Sequence, residues 1–534
     1  MQHRFRFCAL TAALLASSAA LAQTAPPIAD QASGDSLAAG FVDPPAEARP
    51  RVWWHWLDGN ISEPGIVADL EWMKRIGLGG VQTFDASLMA PQVVERRLAY
   101  MSPEWRHAFR LAATTADRLG LEFAVAGSPG WSETGGPWVA PADGMKKLVW
   151  SETDIVGGHR FAGRLASPPR TTGPFQALPF DDPLAAFGGK ASTPPTDYAD
   201  VMVLAYPVDL PIATIPAATV AGHPVDAAAL LDADAKTSVA VPRGSADQPG
   251  VVTLTYARPT TIRSATLFIP GALPPFGDAL FQPVLEVADG AGWRAIATLP
   301  LGAVPTTVSF APITARAFRL VLGPNTAPPR IGLGAPAPGA VDGIFPSGPP
   351  ATSVAVAQLR LSGEARIDRF EAKAGFATVT DYYALSTAVP ESAGIDPARV
   401  VDLTARMQPD GTLDWTVPKG RWRIVRLGAT LLGTTNHPAT AEATGLEVDK
   451  YDSAAVTRYL EHYIDMYRAA AGPDLVGAKG IRAIVTDSFE AGDANWTPLM
   501  LAQFKRLRGY DPRPWLPALT GAVVGSRAQR RLPV

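Results

Sequence analysis

One cysteine occurs in the whole sequence, Cys8, close to the N-terminus. Charge is also scarce: 18% of residues are charged, the net charge is −3, and no basic cluster stands out. These absences exclude several functions. With Cys8 removed there is no disulfide framework and no thiol nucleophile. Without a basic face, nucleic acid is not an expected partner. No later run reaches the about eighteen apolar residues of a membrane span, so membrane insertion is not expected. The sequence contains no HExxH zinc helix, no GxSxG elbow and no Walker loop, which argues against zinc-protease, serine-hydrolase and nucleotide chemistry. An EF-hand-like calcium loop is missing as well.

What is present begins with an address. Arg4 and Arg6 precede the apolar run Phe7 to Leu15, and Ala20-Leu-Ala22 precedes Gln23. A charged start, an apolar middle and a small-residue site read as a secretory signal peptide cleaved after Ala22. Cys8 leaves with it, and the protein is expected to be periplasmic or secreted. Pro (51) and Gly (48) are abundant, which favours strands and turns over a helical bundle. The length allows two to four domains.

Residues 23–50 form an Ala/Pro/Asp-rich lead-in, and structure is expected from Arg51-Val-Trp-Trp-His-Trp-Leu-Asp-Gly-Asn60. On that strand Trp53 and His55 share one face, Trp54 and Trp56 the other. Ser62 opens a helix with apolar spacing at Ile66, Leu70, Met73 and Ile76, stopped by Gly77. The next strand, Gly79 to Phe84, ends at Asp85, so the unit is β-α-β. A second helix from about Glu104 to Leu119 leads to the strand Leu121 to Ala126 and a Gly/Trp loop, Gly127 to Trp138. Such a loop is where a barrel would grip a sugar ring, although Trp131 and Trp138 serve equally well as packing anchors.

From about Ile155 to Thr416 the helical pattern gives way to short β-rich runs at 199–206, 251–256, 265–269 and 317–322. That pattern predicts an inserted β-sandwich, similar to galactose-binding jelly rolls. Strand and helix alternation resumes near Ile424, followed by a helix over 453–470 and the apolar strand Ile481 to Val485. That strand delivers Asp487, Ser488 and Glu490 at its C-terminal end, as a (β/α)8 barrel delivers catalytic acids. Asp487 and Ser488 fit a helix cap too, but the next helix starts well past Glu490.

Acids cluster at loops after strands: Asp85, Glu133, Glu442, Glu447, Asp449, Asp487 and Glu490. Glycoside hydrolysis needs two carboxyl groups, one protonated and one ionised. Glu447 and Glu490 follow different strands and are the chosen pair; Asp449, ahead of a helix, reads as structural. His55 and His437 are candidate hydrogen-bond donors to substrate, with a satisfied core or loop histidine as the alternative.

Four stretches carry a family resemblance: Trp53 to Asn60, Gly127 to Trp138, Ala443 to Lys450 and Asp487 to Pro498. Together they resemble the glycoside hydrolase family 106 α-L-rhamnosidases, over about residues 50–150 and 420–522. The resemblance implies a (β/α)8 barrel interrupted by β-sandwich material, removal of terminal α-L-rhamnose with inversion, and a calcium ion at the sugar whose ligands it does not identify. It also implies that Glu447 and Glu490 are catalytic. Candidate substrate contacts in the motifs and loops are Trp53, His55, Trp56, Asp58, Asn60, Asp85, Trp131, Glu133, Asn436, His437, Asp487, Asn495 and Trp496. The expected organisation is signal peptide 1–22, lead-in 23–50, barrel 51–154, sandwich 155–416, barrel 417–522 and an irregular tail 523–534. Five barrel strands are expected, near Val52, Val81, Phe123, Ile424 and Ile484, and family members continue well beyond them, so the barrel is expected to be incomplete. The partner would be a rhamnose-containing oligosaccharide, polysaccharide or glycoside. A non-catalytic sugar-binding protein and an inactive fragment are the competing readings.

Overall fold

The computed structural model describes residues 36–180, 194–209, 215–245, 247–273, 279–325, 352–378, 385 and 394–525. The signal peptide, residues 23–35 of the lead-in and residues 526–534 of the tail lie outside them. Three strands and two helices follow the β-α-β order read from the sequence. They are β1 (Arg51–Leu57), α1 (Glu63–Arg75), β2 (Gly80–Ala86), α2 (Pro103–Leu119) and β3 (Glu122–Ala126). Both helices start on a serine: the Oγ of Ser62 accepts from the Gly65 N–H, and that of Ser102 from the Trp105 N–H. Gly120, at φ 65°, ends α2 in the left-handed conformation that glycine favours.

Much later in the chain come α3 (Ser453–Ala471), a strand at Ile481–Val485 and a helix at Met500–Arg508. The late strand pairs with β3, and the four strands form one parallel sheet in the order first, second, third, late. The sheet is open, with no closed barrel among the described residues. Helices α1, α2 and α3 cover one face. There Trp54, Trp56, Leu70, Trp105, Phe109, Phe123, Tyr463 and Tyr467 form the core. Trp105 and Phe109 stack at 4.9 Å and 7° between planes.

Between β3 and α3 the chain is antiparallel. Strand β4 (Lys146–Val156) pairs along its whole length with β9 (Arg421–Leu431), which also pairs with β5 (Tyr198–Pro207). A second antiparallel sheet is built on β6 (Gly250–Phe268), β7 (Gln282–Asp289) and β8 (Thr306–Gly323), with its own core around Val252, Leu254, Phe318 and Leu320. The late parallel strand is β10 and the late helix α4.

Two expectations are corrected. The strand at Ile424 is not a barrel strand: it is β9, antiparallel and in another sheet. Its apolar run is buried on both faces, and such a run looks the same whichever way its neighbours point. The run at 251–256 and most of that at 265–269 belong to one strand, β6, which passes Pro259 at a register shift between Thr255 and Thr260. A proline is tolerated in a strand at such an irregularity. Among the described residues no helix is long and apolar enough to cross a membrane.

Phe109 is fully buried against Trp56, Trp105, Phe123 and Tyr467. Phe109→Ala should therefore cost about 3–5 kcal/mol, read as a lowered midpoint in urea unfolding. A loss under ~1 kcal/mol would mean that this core does not limit stability.

Candidate active site

Parallel strands end on the same edge of their sheet, so the segments after Leu57, Ala86, Ala126 and Val485 meet there. The Gly127 N–H donates to the Val485 carbonyl (2.8 Å) and the Gly130 N–H to the Asp85 carbonyl (2.7 Å). These bonds lay the Gly/Trp loop across the ends of β2, β3 and β10. From α3, the Tyr459 hydroxyl donates to the Gly127 carbonyl (2.6 Å) and the Tyr463 hydroxyl to that of Ala126 (3.0 Å).

On the sheet face away from the helices, Trp53, His55 and Phe84 form an aromatic wall. The His55 and Phe84 rings stack at 5.3 Å, and Trp53 lies 4.9 Å from Phe84 and is 51% exposed. Trp131 leans in from the Gly/Trp loop, its Nε1–H donating to His55 Nε2 at 2.9 Å. An acceptor Nε2 requires the neutral ring with its proton on Nδ1. Burial pushes the His55 pKa down from 6.5, in the same direction.

Glu447 is 1% exposed. Its Oε2 accepts from the Lys450 ammonium (2.7 Å) and the Thr134 hydroxyl (2.8 Å). Lys450 also lies 5.5 Å from the centre of the Phe489 ring, so it links the Glu447 loop to the one after β10. Glu490, one residue on, is exposed, and its Oε1 accepts from the Ser488 hydroxyl (2.8 Å). Asp487 accepts from the Ser488 N–H (2.8 Å). Lys450, Thr134 and Phe84 were not singled out from sequence. Only the three-residue spacing of Glu447 and Lys450 hinted at a pair.

His437 holds the neighbouring loop. Its Nδ1 donates to the Thr435 carbonyl (2.9 Å), which leaves Nε2 as an acceptor in the neutral ring, and its carbonyl accepts from the Trp131 N–H (2.9 Å). Glu133 is half-buried on the Gly/Trp loop.

Several candidate contacts are committed elsewhere. Trp56, 1% exposed, packs in the helix-side core against Trp105 and Phe109. Trp496 is buried in another core with Leu148 and Trp150. The Asn436 side chain is spent on the Pro129 and Ala443 carbonyls and the Gly445 N–H. Asn495 joins the Ala374 carbonyl to the Leu148 N–H. Asp58 accepts from the Ser87 hydroxyl and from the Leu88 and Ala90 N–H groups, and Asn60 from the Val93 N–H; both pin the loop after β2. As placed, each of these side chains is packed or hydrogen-bonded within the fold.

Asp85 also points to the helix side. Its Oδ2 accepts from Trp105 Nε1–H (2.9 Å), while Oδ1 is buried without a partner. Burial pushes its pKa up to about 7, against the Trp105 hydrogen bond and with the help of the Glu442 and Asp58 charges. Asp58 and Glu442 line a cavity of about 270 Å³ with Arg97 and Thr440.

Calcium needs six to eight oxygen ligands. Among the described residues no group of three or more His, Cys, Asp or Glu side chains could hold a metal ion. Glu447 is paired with Lys450 and Asp58 is saturated by N–H and O–H donors. As placed, these two carboxylates are committed to partners other than a cation.

Parallel strands with helices along one face define an α/β protein, whose strand ends carry an aromatic wall and loop carboxylates. Residues 42–531 match the alpha-L-rhamnosidase family, glycoside hydrolase family 106, and the chain belongs to that family. It is similar to a solved rhamnosidase from Novosphingobium sp. PP1Y: 51% identity, TM-score 0.80, covering 93% of this chain and 43% of that one. It is also 26% identical over 490 residues to a putative beta-glucuronidase of Formosa agariphila, covering 92% of this chain and 27% of that protein. The chain thus spans less than half the length of either relative.

The buried Asp85 makes stability depend on pH. With a folded pKa near 7 against an ordinary 3.8, the folded state holds a proton that the unfolded state has released. Its contribution to stability is present below about pH 4 and is lost as pH rises to 7. Asp85→Asn should flatten that fall in urea midpoints measured from pH 5 to 7.5. An unchanged slope would show that Asp85 is ionised in the fold.

Proposed function

We propose that this chain carries the rhamnose-binding and catalytic loops of an exported α-L-rhamnosidase, acting on terminal α-L-rhamnose of glycans or glycosides with inversion. The observation that carries the reading is the meeting of an aromatic wall exposed at Trp53, the buried Glu447 and the open Glu490 at one end of a parallel sheet. In this reading the sheet is the first part of a (β/α)8 barrel and residues 155–416 are inserted sandwich material. The signal peptide ends at Ala22, and the product is periplasmic or secreted.

Each side chain has a task suited to its setting. A 6-deoxy sugar presents apolar C–H and methyl surface, which Trp53 and Trp131 meet with flat faces. His55, neutral with its Nδ1–H free of Trp131, donates to a sugar hydroxyl; His437 Nε2 accepts from one. Glu447, beside an ammonium, is the ionised member and draws the proton from the attacking water. Glu490, with no cation on it, is assigned as the acid that brings a proton to the leaving oxygen. An inverting pair stands roughly 6.5–9.5 Å apart, leaving room for the water.

The two roles separate by leaving group. With p-nitrophenyl α-L-rhamnoside, whose leaving group needs little protonation, Glu490→Gln should lose less than about tenfold. On a rhamnosyl disaccharide it should lose about 10²–10⁴-fold. Glu447→Gln should lose about as much on both. Equal losses for Glu490→Gln on the two substrates would remove it as the acid.

The same assay tests the reading as a whole. The mature chain is expected to release p-nitrophenol from the rhamnoside and not from p-nitrophenyl β-glucuronide, the sugar for which one relative is named. Sugar binding without turnover would favour a non-catalytic binder. Calcium remains a requirement to be measured: loss of turnover in EDTA, restored by calcium, is what the resemblance implies.

A further inference from the structure

The second antiparallel sheet turns one face to its own core and the other outward. Its strands run in the order Gly292–Thr298, β7, β8, β6 and Ala217–Val220. Val287, Phe318, Leu320 and Leu254 point into the core, and alternation puts their chain neighbours on the outer face. There Glu286 of β7 lies opposite Arg319 of β8, Arg319 opposite Thr253 of β6, and Thr253 opposite Thr219. Neighbouring strands lie about 4.8 Å apart, so this polar row crosses four strands over about 14 Å.

Trp293 reaches the row from the edge strand. The Arg319 guanidinium lies 4.5 Å from the centre of its ring, and Arg319 Nε donates to Glu286 Oε2 at 2.6 Å. The guanidinium pins the indole while Glu286 pins the guanidinium. Trp293 is no part of the core beneath and is still 36% exposed. A flat ring is thus held still at the surface, beside paired donors and acceptors.

Charge selects the partner. Arg319 is matched by Glu286, and Arg294, next to Trp293, pairs with Asp289 at 3.3 Å. With both cations matched, the surface has no net pull on an anionic chain. Nor does it suit a protein, whose interfaces are built on an apolar centre. Of the large apolar side chains on these five strands, Trp293 alone is exposed among the described residues. A neutral sugar fits what remains. Its C–H face meets the indole, and each of its hydroxyls both donates and accepts. A guanidinium beside a carboxylate offers both, and so do the hydroxyls of Thr253 and Thr219, which have no other partner among the described residues. The row is longer than one sugar ring.

We propose that this outer face binds a neutral polysaccharide chain laid across the strands. One sugar rests on Trp293 and the next ones lie along Glu286, Arg319, Thr253 and Thr219. The surface belongs to a different sheet from Trp53 and Glu447, so the inference goes beyond the rhamnosidase reading and does not rest on it.

The test is native affinity electrophoresis of the mature chain in gels holding galactomannan, xyloglucan or mixed-linkage glucan, with polygalacturonate as the acidic probe. Retardation in at least one neutral gel, and none in polygalacturonate, is expected. Trp293→Ala should weaken that binding about tenfold or more, and Trp293→Tyr should keep most of it. Thr253→Val, which suits a strand, should weaken it about threefold and decides the matter alone if Trp293→Ala alters the circular dichroism. No retardation in any neutral gel would overturn the proposal. So would retardation that survives Trp293→Ala in a folded variant, or retardation by polygalacturonate alone. Retardation lost in Trp53→Ala but kept in Trp293→Ala places polymer binding at the strand ends and overturns it as well. Turnover of p-nitrophenyl α-L-rhamnoside is read separately: its absence sinks the rhamnosidase reading and leaves the glycan surface in place.

Discussion

The parallel pairing of β10 with β3 brings the loop that ends in Glu490 up against the Gly/Trp loop, and the candidate site depends on that one junction. Its last rung is the bond from the Gly127 N–H to the Val485 carbonyl. Two buried tyrosines of α3 brace it by donating to the Gly127 and Ala126 carbonyls, 332 and 337 residues away in sequence. The long antiparallel region between is not a heavy burden on this closure. Loop-closure entropy rises by only about 0.6 kcal/mol for each doubling of length. Moreover, β4 and β9 pair end to end, from Lys146 with Leu431 to Arg421 with Val156, so the intervening region returns to where it left.

Polar groups near the junction divide by what already satisfies them. Asp58, Asn60, Asn436 and Asn495 use their oxygens and amides on backbone groups from other segments. A buried polar group left unpaired costs roughly 1–3 kcal/mol, so these residues are held to loop-building. His55, Trp53, Trp131, His437 and Glu490 keep surface or lone pairs for something else. Gly445 shows how tight the packing is, since a Cβ there would sit 2.1 Å from Gly136 backbone atoms.

Much of this was legible in the sequence. Serine caps, glycine stops and apolar runs gave β1, β2, β3, β10 and the helices close to their true limits, because local propensity and burial agree there. The alternation that separates Trp53 and His55 from Trp54 and Trp56 was also legible. Which face would meet the helices was not, because alternation fixes a phase and not a direction. Trp56 and Asp85 were therefore read toward substrate although both point into the helix layer. β9 failed for a related reason: a strand covered on both sides carries no record of its neighbours' direction. Asn495 was illegible in principle, since its partners lie far off in sequence, and so was the bond from Asn436 to Pro129.

Glu447 and Glu490 stand in opposite settings at the ends of the parallel strands. Glu447 lies inside the fold with an ammonium at 2.7 Å, whereas Glu490 stands at the rim with a serine hydroxyl. Lys450 couples them, because the ammonium that pairs with Glu447 also faces the ring of Phe489. Attraction between charges grows as the local dielectric falls. Lys450 thus ties the loop after β10 to the buried Glu447, and the placing of Glu490 depends on that contact.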